Sequence, residues 1–464
     1  MGVNDGAWEE LFERHGIAET LERDGFCRIS ADSIRALREP RLMTKFDHAV
    51  NLPRIFAENG LAILPVSRRE YVISSFRAYA ELPGVPSGAA PRVVRPPAWL
   101  QSLSSRYVTS EAAALHYAGA CGIWEDFLAE EAVVPTASGR MGSGGFACMA
   151  DTARGELPLV VRNAQIEIDI ACEGRGCLAI IEAKMDLSED FHIRQLYYPF
   201  RLWRERVDKP VRCVFLNYSD GVFLLYEYAF ADPMRYNSLS LVRAGRYVAA
   251  TDITRRDLEA LLDAVLPAPE PREPFPQADN FARVVNLLEL LAARSMSPEE
   301  ISSAYSFTPR QAAYYSAAGR YLGLAVHAGG RGGARHELSE RGRRIMGLPL
   351  RERKLALAAA ILEHAVFRET LRAALAATGG TALPPRGDIV RIMRRAAPGG
   401  MEGESTFTRR ASTVRGCVIA FSMRSSERVS SRLASSITST RSRSASASIK
   451  RGLTVSPSPS SAVW

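Results

Sequence analysis

The chain has 464 residues, 47% of them hydrophobic and 24% charged, with 59 Lys and Arg against 51 Asp and Glu for a formal charge of +8 and a pI near 9.2. At roughly 150 residues per domain this length gives about three units, each able to bury a core, and the composition excludes wholesale disorder, collagen and coiled coil. The longest apolar run, around Leu355 to Leu362, is far short of the ~20 residues a bilayer needs. The acidic first segment, MGVNDGAWEELFERHG, lacks the apolar stretch of an export signal. A soluble, cytoplasmic protein without a membrane partner is expected. The seven cysteines form no CxxC pair, which argues against a disulfide framework or a zinc knuckle. The modest basic excess permits a polyanionic partner without establishing one.

In chain order, residues 1–105 read as a mixed α+β region, with a charged helix near Trp8 to Arg14, strands within Leu61 to Ala80 and Pro/Gly/Ser-rich turns from Pro83 to Pro97. Ser110 to Glu131 predicts one helix, N-capped by Ser110 and stopped by Pro135. The segment GRMGSGG, residues 139–145, predicts a loop. Strand-like runs follow at 157–161, 164–171, 178–183, 211–216 and 222–228, with a helix at 191–207 between the third and fourth. Strands around a helix in this order predict an α/β core over 106–262. Residues 263–277 contain LPAPEPREPFP, too proline-dense for a packed element, and read as a linker.

Beyond the linker the pattern is helical. Helices at 281–293, 297–305 and 308–322, then the Gly/Arg hairpin HAGGRGGARHELS and another helix, predict a winged helix-turn-helix over 278–348 followed by a helical region over 349–417. Thr308 and Pro309 fit the N-cap and first position of the third helix. Its exposed N-terminal residues would be Arg310, Gln311 and Tyr314, placed to enter a major groove, where Arg pairs with guanine and Gln with adenine. Arg331 and Arg335 on the wing would meet phosphates or the minor groove. Such a domain also serves as a protein-interaction scaffold, and both readings stand at this point. Tyr315, Tyr321, Leu322 and Leu324 read as its core. From 418 to 464 the chain turns Ser/Arg-rich with Glu427 as its one acid, the composition of a disordered tail. The change is abrupt, as in a frameshifted terminus; a basic tail that touches DNA is the other reading.

The chemistry concentrates in QIEIDIACEGRGCLAIIEAKMDLSEDFHIRQLYYPFRLW, residues 165–203. Strand alternation puts Gln165, Glu167 and Asp169 on one side, with Ile166, Ile168 and Ile170 on the other. On the next strand Glu182 and Lys184 project together. Paired as a hairpin, the two strands bring Asp169 and Glu182 to one point with Lys184 beside them. Two carboxylates without His or Cys are hard oxygen donors suited to magnesium, and the arrangement suits in-line hydrolysis of a phosphodiester. Glu167 is either an extra ligand or a solvated carboxylate. His192 reads as exposed or helix-capping. Tyr197, Tyr198 and Trp203 have the spacing of helix-face packing, and Arg140 is a candidate phosphate contact in the Gly-rich loop.

An acid ending one strand, a Glu-x-Lys on its hairpin partner and a following helix with a Gln resemble the PD-(D/E)XK nuclease superfamily, matched by Asp169, Glu182, Lys184 and Gln195. The strings ALHYAGACGIWEDFL, TASGRMGSGGF, IRQLYYPFRLW and MTKFDHAVNLPRIF look like a branch of type II restriction endonucleases, extending the resemblance over most of residues 40–415. No Pro precedes Asp169, a departure frequent in that superfamily. The resemblance implies a restriction-endonuclease-like mixed sheet flanked by helices, Mg2+ as cofactor held by Asp169 and Glu182, and a further ligand from a preceding helix. Glu125 is the position assigned, with Asp126 and Glu111 as competitors. It further implies double-stranded DNA as substrate, a homodimer and a cognate DNA methyltransferase. The alternatives are a nuclease of repair, recombination or transposition, and a decayed, non-catalytic DNA-binding protein.

Overall fold

The computed structural model describes residues 3–83, 91–103, 108–278, 280–305, 309–329, 334–377 and 384–396, with 406–407, 410–415 and 417. The expected tail at 418–464 lies outside the described residues. The chain opens with α1 (Val3–His15), α2 (Ile17–Asp24), β1 (Phe26–Ser30), α3 (Ala31–Arg35), α4 (Pro40–Thr44), a 3-10 turn at Ala49–Asn51, α5 (Arg54–Glu58), β2 (Ala62–Pro65) and β3 (Glu70–Ser74). The strands form an antiparallel sheet in the order β1-β3-β2. Trp8, Phe12 and Phe56 meet edge to face beneath it, with Trp8 and Phe56 centroids 4.7 Å apart. This is a self-contained hydrophobic cluster, large enough to hold the lobe together.

The central unit comprises β4 (Tyr79–Glu81), β5 (Arg92–Val94), α6 (Glu111–Ala120), α7 (Ile123–Leu128), β6 (Val133–Gly142), β7 (Gly145–Thr152), β8 (Gly155–Arg162), β9 (Gln165–Gly174), β10 (Leu178–Lys184), β11 (Asp190–His192), α8 (Arg194–Arg204), β12 (Val211–Ser219), β13 (Val222–Phe230), β14 (Leu239–Ala249) and α9 (Arg255–Ala264). Seven strands form one sheet in the order β5-β14-β13-β12-β10-β9-β6. β10 and β12 are parallel, as are β14 and β5, and the other pairs are antiparallel. The parallel pair requires a crossover, which α8 supplies. This is an α/β unit with a mixed sheet covered on both faces. On one side lie α6 and α7, through Leu115, Trp124 and Phe127. On the other lie α8 and the β7–β8 hairpin, through Leu196, Tyr197, Tyr198 and Phe146.

Several expectations are corrected. The predicted helix 110–131 is two helices, because Gly122 turns left-handed (φ 71°) between them, and Pro135 lies inside β6 rather than stopping a helix. The glycine-rich segment 139–145 is not a loop: residues 139–142 continue β6 against β9. The predicted helix 191–207 begins later, since residues 190–192 pair with β4. A boundary at 105/106 would cut the central sheet, whose outer strand is β5.

The C-terminal unit contains α10 (Phe281–Ala293), α11 (Pro298–Tyr305), α12 (Pro309–Tyr321), β15 (Ala325–Ala328), β16 (Arg335–Leu338), α13 (Glu340–Met346), α14 (Leu350–Leu362), α15 (Ala365–Ala376) and α16 (Arg386–Ala396). Tyr315, Tyr321, Leu322 and Leu324 are buried in its core. The proline-rich segment is not a free linker. It begins within α9, and although its prolines exclude regular structure, its other residues pack on this unit. Tyr321 Oη donates to Glu270 (2.6 Å), Arg320 Nε donates to Glu273 (2.8 Å), and Phe275 stacks on Phe367 at 5.5 Å. No described helix is long and apolar enough to cross a membrane.

Candidate active site

β9 and β10 pair antiparallel, with Ile181 opposite Ile170, so the next step of that register sets Glu182 across from Asp169. Strict alternation fails just there. Ile166 and Ile168 pack on the α8 face, whereas Ile170 and Cys172 pack on the α6–α7 face. On the neighbouring strand Ala137 pairs with Ala171 but Gly139 pairs with Ile168, so β9 takes three steps where β6 takes two. An inserted residue reverses the facing of everything beyond it. The bulge sits at Asp169 and Ile170, correcting the expectation that all three isoleucines share one face. It leaves Asp169 half-buried, with Ala183 N donating to its Oδ2 at 2.8 Å.

The predicted quartet gathers around Glu182. Lys184 Nζ donates to Glu182 Oε1 at 2.5 Å, and Gln195 Nε2, from the first turn of α8, donates to the same oxygen at 2.6 Å. Glu182 and Lys184 are only 7% and 8% exposed. Burial pushes the Glu182 carboxyl up to about 7, against the pull of Lys184 and with the push of Asp169. Burial alone would lower Lys184, but Glu182, Glu111, Asp47 and Asp169 together hold it well above the ordinary lysine range. Lys184 is therefore the fixed cation of the site.

Glu111, not Glu125, is the helical carboxylate facing this cation. It occupies the first position of α6, after the Ser110 cap, with Oε1 3.8 Å from Lys184 Nζ. Glu125 lies one helix later, outside the cleft lining, with a buried Oε2 that has no hydrogen-bond partner. It helps burial push Cys172 up to about 12. Asp126 is held by Arg92 and by Tyr247 Oη. The break at Gly122 separates the two assignments: α6 aims its N-terminus at the strand ends, while α7 runs past the closed end of the hairpin.

These side chains line a cleft of about 800 Å³ whose far wall comes from the N-terminal lobe. Asp47 and His48 follow α4, in a segment without periodicity, and sequence reading missed them as site residues. His48 is 3% exposed. Its Nδ1 lies 2.7 Å from Asp190 O and 3.1 Å from Asp190 Oδ1, and its Nε2 is 3.8 Å from Asp186 Oδ2. Burial lowers the imidazole, but the bonds to Asp186 and Asp190 overcome it and lift His48 to about 10. Asp47 is held below the usual carboxylate range: burial opposes this, and Lys184, Lys45, Arg194 and His48 prevail. Arg35, Arg41, Lys45, Arg68 and Arg194 also line the cleft and were not anticipated.

Arg140 lines the cleft as well, but from a strand, with Nε 3.3 Å from Glu167 of β9. His192 is buried rather than exposed. Burial and Arg194 lower it to about 3, and its Nδ1 accepts from Arg194 N at the start of α8. Tyr197 and Tyr198 are fully buried, and Trp203 packs partly buried beside them. In the C-terminal unit Arg310 is exposed at the start of α12, its guanidinium 5.5 Å from the Tyr314 ring and bonded to the Tyr314 hydroxyl. Gln311 lies beside it, half-buried. Arg335 is not free to reach outward: its Nη2 bonds Ser295 O and Glu300 Oε2, both at 2.7 Å. Thr308 and Arg331 lie outside the described residues.

Among the described residues no three or more His, Cys, Asp and Glu side chains are close enough together to hold a metal ion. Asp169 and Glu182 nevertheless fit a hard divalent cation, which binds through one or two carboxylates and keeps its waters. The Gln195 Oε1 beside them is a buried acceptor without a hydrogen-bond partner.

Three family models match the chain, each described as a domain of unknown function: DUF6996 over residues 5–73, DUF6997 over 74–248 and DUF7226 over 283–419. No curated protein and no solved structure matches it.

Proposed function

We propose that the protein is a magnesium-dependent nuclease of the PD-(D/E)XK type, cutting double-stranded DNA at a short specific sequence as a type II restriction endonuclease does. The convergence of Asp169, Glu182, Lys184 and Gln195 in one cleft carries this reading. Asp169 and Glu182 would hold the magnesium ion, and the chemistry supplied there when it is bound would be polarisation of the phosphodiester and acidification of a water. Lys184, protonated and anchored by Glu182, orients that water and offsets the charge gathering on the phosphoryl oxygens. Gln195 fixes the Glu182 carboxylate through Nε2, so both of its neighbours hold the same oxygen.

The finer fold belongs to the same proposal: β9, β10, the α8 crossover and β12 form the restriction-endonuclease-like core, and α10 to β16 form a winged helix. Cutting both strands calls for two such sites, hence a homodimer. A separate methyltransferase protects the host DNA in the cytoplasm. Digestion of unmethylated phage DNA with magnesium or with EDTA, followed by sequencing of the fragment ends, tests the reading. Discrete magnesium-dependent fragments sharing one sequence are expected. Smearing or junction-dependent cutting would place the protein among repair nucleases. Binding without any cutting would leave a decayed regulator.

A further inference from the structure

The carboxylates that would hold the metal create an electrostatic problem for a polyanionic substrate. Outside the N-terminal lobe, Glu111, Glu167, Asp169, Glu182 and Asp186 line the cleft against three cations, Arg140, Lys184 and Arg194, so the floor by itself repels a phosphate backbone. Attraction must come from the walls. Four cations from the N-terminal lobe stand on one wall: Arg35 at the end of α3, Arg41 in α4, Lys45 just after it and Arg68 in the β2–β3 turn. Arg35 pairs with Asp32, and Lys45 lies 3.5 Å from Asp47. Arg41 and Arg68 are exposed and have no ion-pair partner among the described residues. The facing contribution from the C-terminal unit, Ser303 and Ala304 of α11, is uncharged.

We propose that the N-terminal lobe is the phosphate-binding wall of the cleft, with Arg41 and Arg68 gripping the backbone of a DNA duplex whose scissile phosphate lies over Asp169 and Glu182. The assignment rests on the nuclease reading and moves the main backbone contact away from the wing, where Arg335 is already engaged by Glu300 and Ser295. The wall is rigidly placed. Tyr79 Oη donates to Phe46 O at 3.0 Å, His192 N donates to Asp47 O at 3.0 Å, and Ala49 N donates to Asp190 Oδ2 at 3.1 Å. Phosphate contacts fix register and orientation without reading bases, so this wall serves any sequence equally, and base readout falls to other surfaces.

The test is DNA binding by the full chain in EDTA, where no cleavage occurs, using a fluorescent duplex of mixed sequence across a salt series. Each phosphate contact contributes a slope of about −0.9 to log affinity against log salt. The double variant Arg41→Ala/Arg68→Ala is expected to bind roughly 10- to 100-fold more weakly near 0.1 M salt, with a slope shallower by about 2. The Arg41→Lys/Arg68→Lys protein should keep most of the slope, and unchanged melting would show that both variants fold. If wild type binds the duplex and the folded alanine variant matches it in affinity and slope, the wall is overturned while the nuclease reading stands. A wild type that binds no duplex overturns both. Binding of duplex RNA in preference to DNA overturns the partner assigned here.

Discussion

Both flanking units grip the same short segment, residues 185–190, which leaves the end of β10 directly after Lys184, but they grip it with different chemistry. The N-terminal lobe inserts one imidazole, His48, between Asp186 and Asp190. The C-terminal unit uses neutral and charged donors from α10: Asn286 Nδ2 bonds Met185 O at 2.8 Å, and Arg283 Nη2 bonds Glu189 at 2.7 Å. Behind that contact lies a buried network. Arg353 meets Asp220 at 3.2 Å and Glu289 at 3.3 Å, and Lys354 meets Asp220 at 3.2 Å. Burial raises Glu289, against the pull of Arg353. The N-terminal grip lies in the cleft wall itself, whereas none of Asp220, Glu289, Arg353 or Lys354 lines the cleft. One attachment therefore belongs to the site and the other to the scaffold, and disrupting them should separate activity from stability.

The largest effect on rate belongs to the hairpin that both units hold. Asp169→Ala or Lys184→Ala should lower cleavage by on the order of 10³-fold or more while leaving DNA binding largely intact, as expected when groups that stabilise only the transition state are lost. Single-turnover cleavage beside a binding isotherm checks this, and wild-type rates in both variants would defeat the assignment. At the scaffold attachment the effect reverses. Arg353→Ala leaves the largely buried Glu289 without its guanidinium partner and Asp220 with Lys354 alone, a loss of up to about 3–5 kcal/mol. Urea unfolding should show that loss, with near-wild-type cleavage where the variant is still folded. Lost cleavage with unchanged stability would mean that the C-terminal attachment also belongs to the site.

The same contrast explains what could be read from sequence. Asp169, Glu182 and Lys184 lie on adjacent strands of one hairpin, so period-two alternation and a short turn were enough to bring them together. The bulge at Asp169 was illegible because it is a property of pairing with β6, and β6 itself was hidden by its glycines and by Pro135. Glu125 was ranked above Glu111, wrongly, because a single left-handed glycine, Gly122, decides which helix end meets the strands and no local pattern reveals it. Asp47 and His48 were invisible as site residues for a different reason. His48 is fixed by Asp190, 142 positions away, and no local pattern in TKFDHAVN announces such a partner. The Pro-rich segment misled in the opposite sense, since prolines forbid ladders but not the burial of Phe275.

The N-terminal attachment makes the smallest and most specific prediction, because it rests on one titratable ring. His48 titrates near 6.5 when unfolded and at about 10 in the folded chain, so folding favours its charged form. The sign follows directly: stability from this contact is complete below about pH 6.5 and is lost as pH rises through about 10. Asp186 and Asp190 supply it, and the charge on His48 also helps hold Asp47 ionised. Wild type should therefore lose stability, on the order of a few kcal/mol, between those limits. His48→Asn, which keeps a polar side chain of similar reach but no charge, should be less stable at pH 6 to 7 and much flatter across the same window. Paired urea titrations over that range measure the difference. Curves of equal slope for the two proteins would show that the imidazole is not the charged wedge, and the N-terminal lobe would then be held by its uncharged contacts, among them His192 N to Asp47 O, Tyr79 Oη to Phe46 O and Tyr198 Oη to Pro65 O.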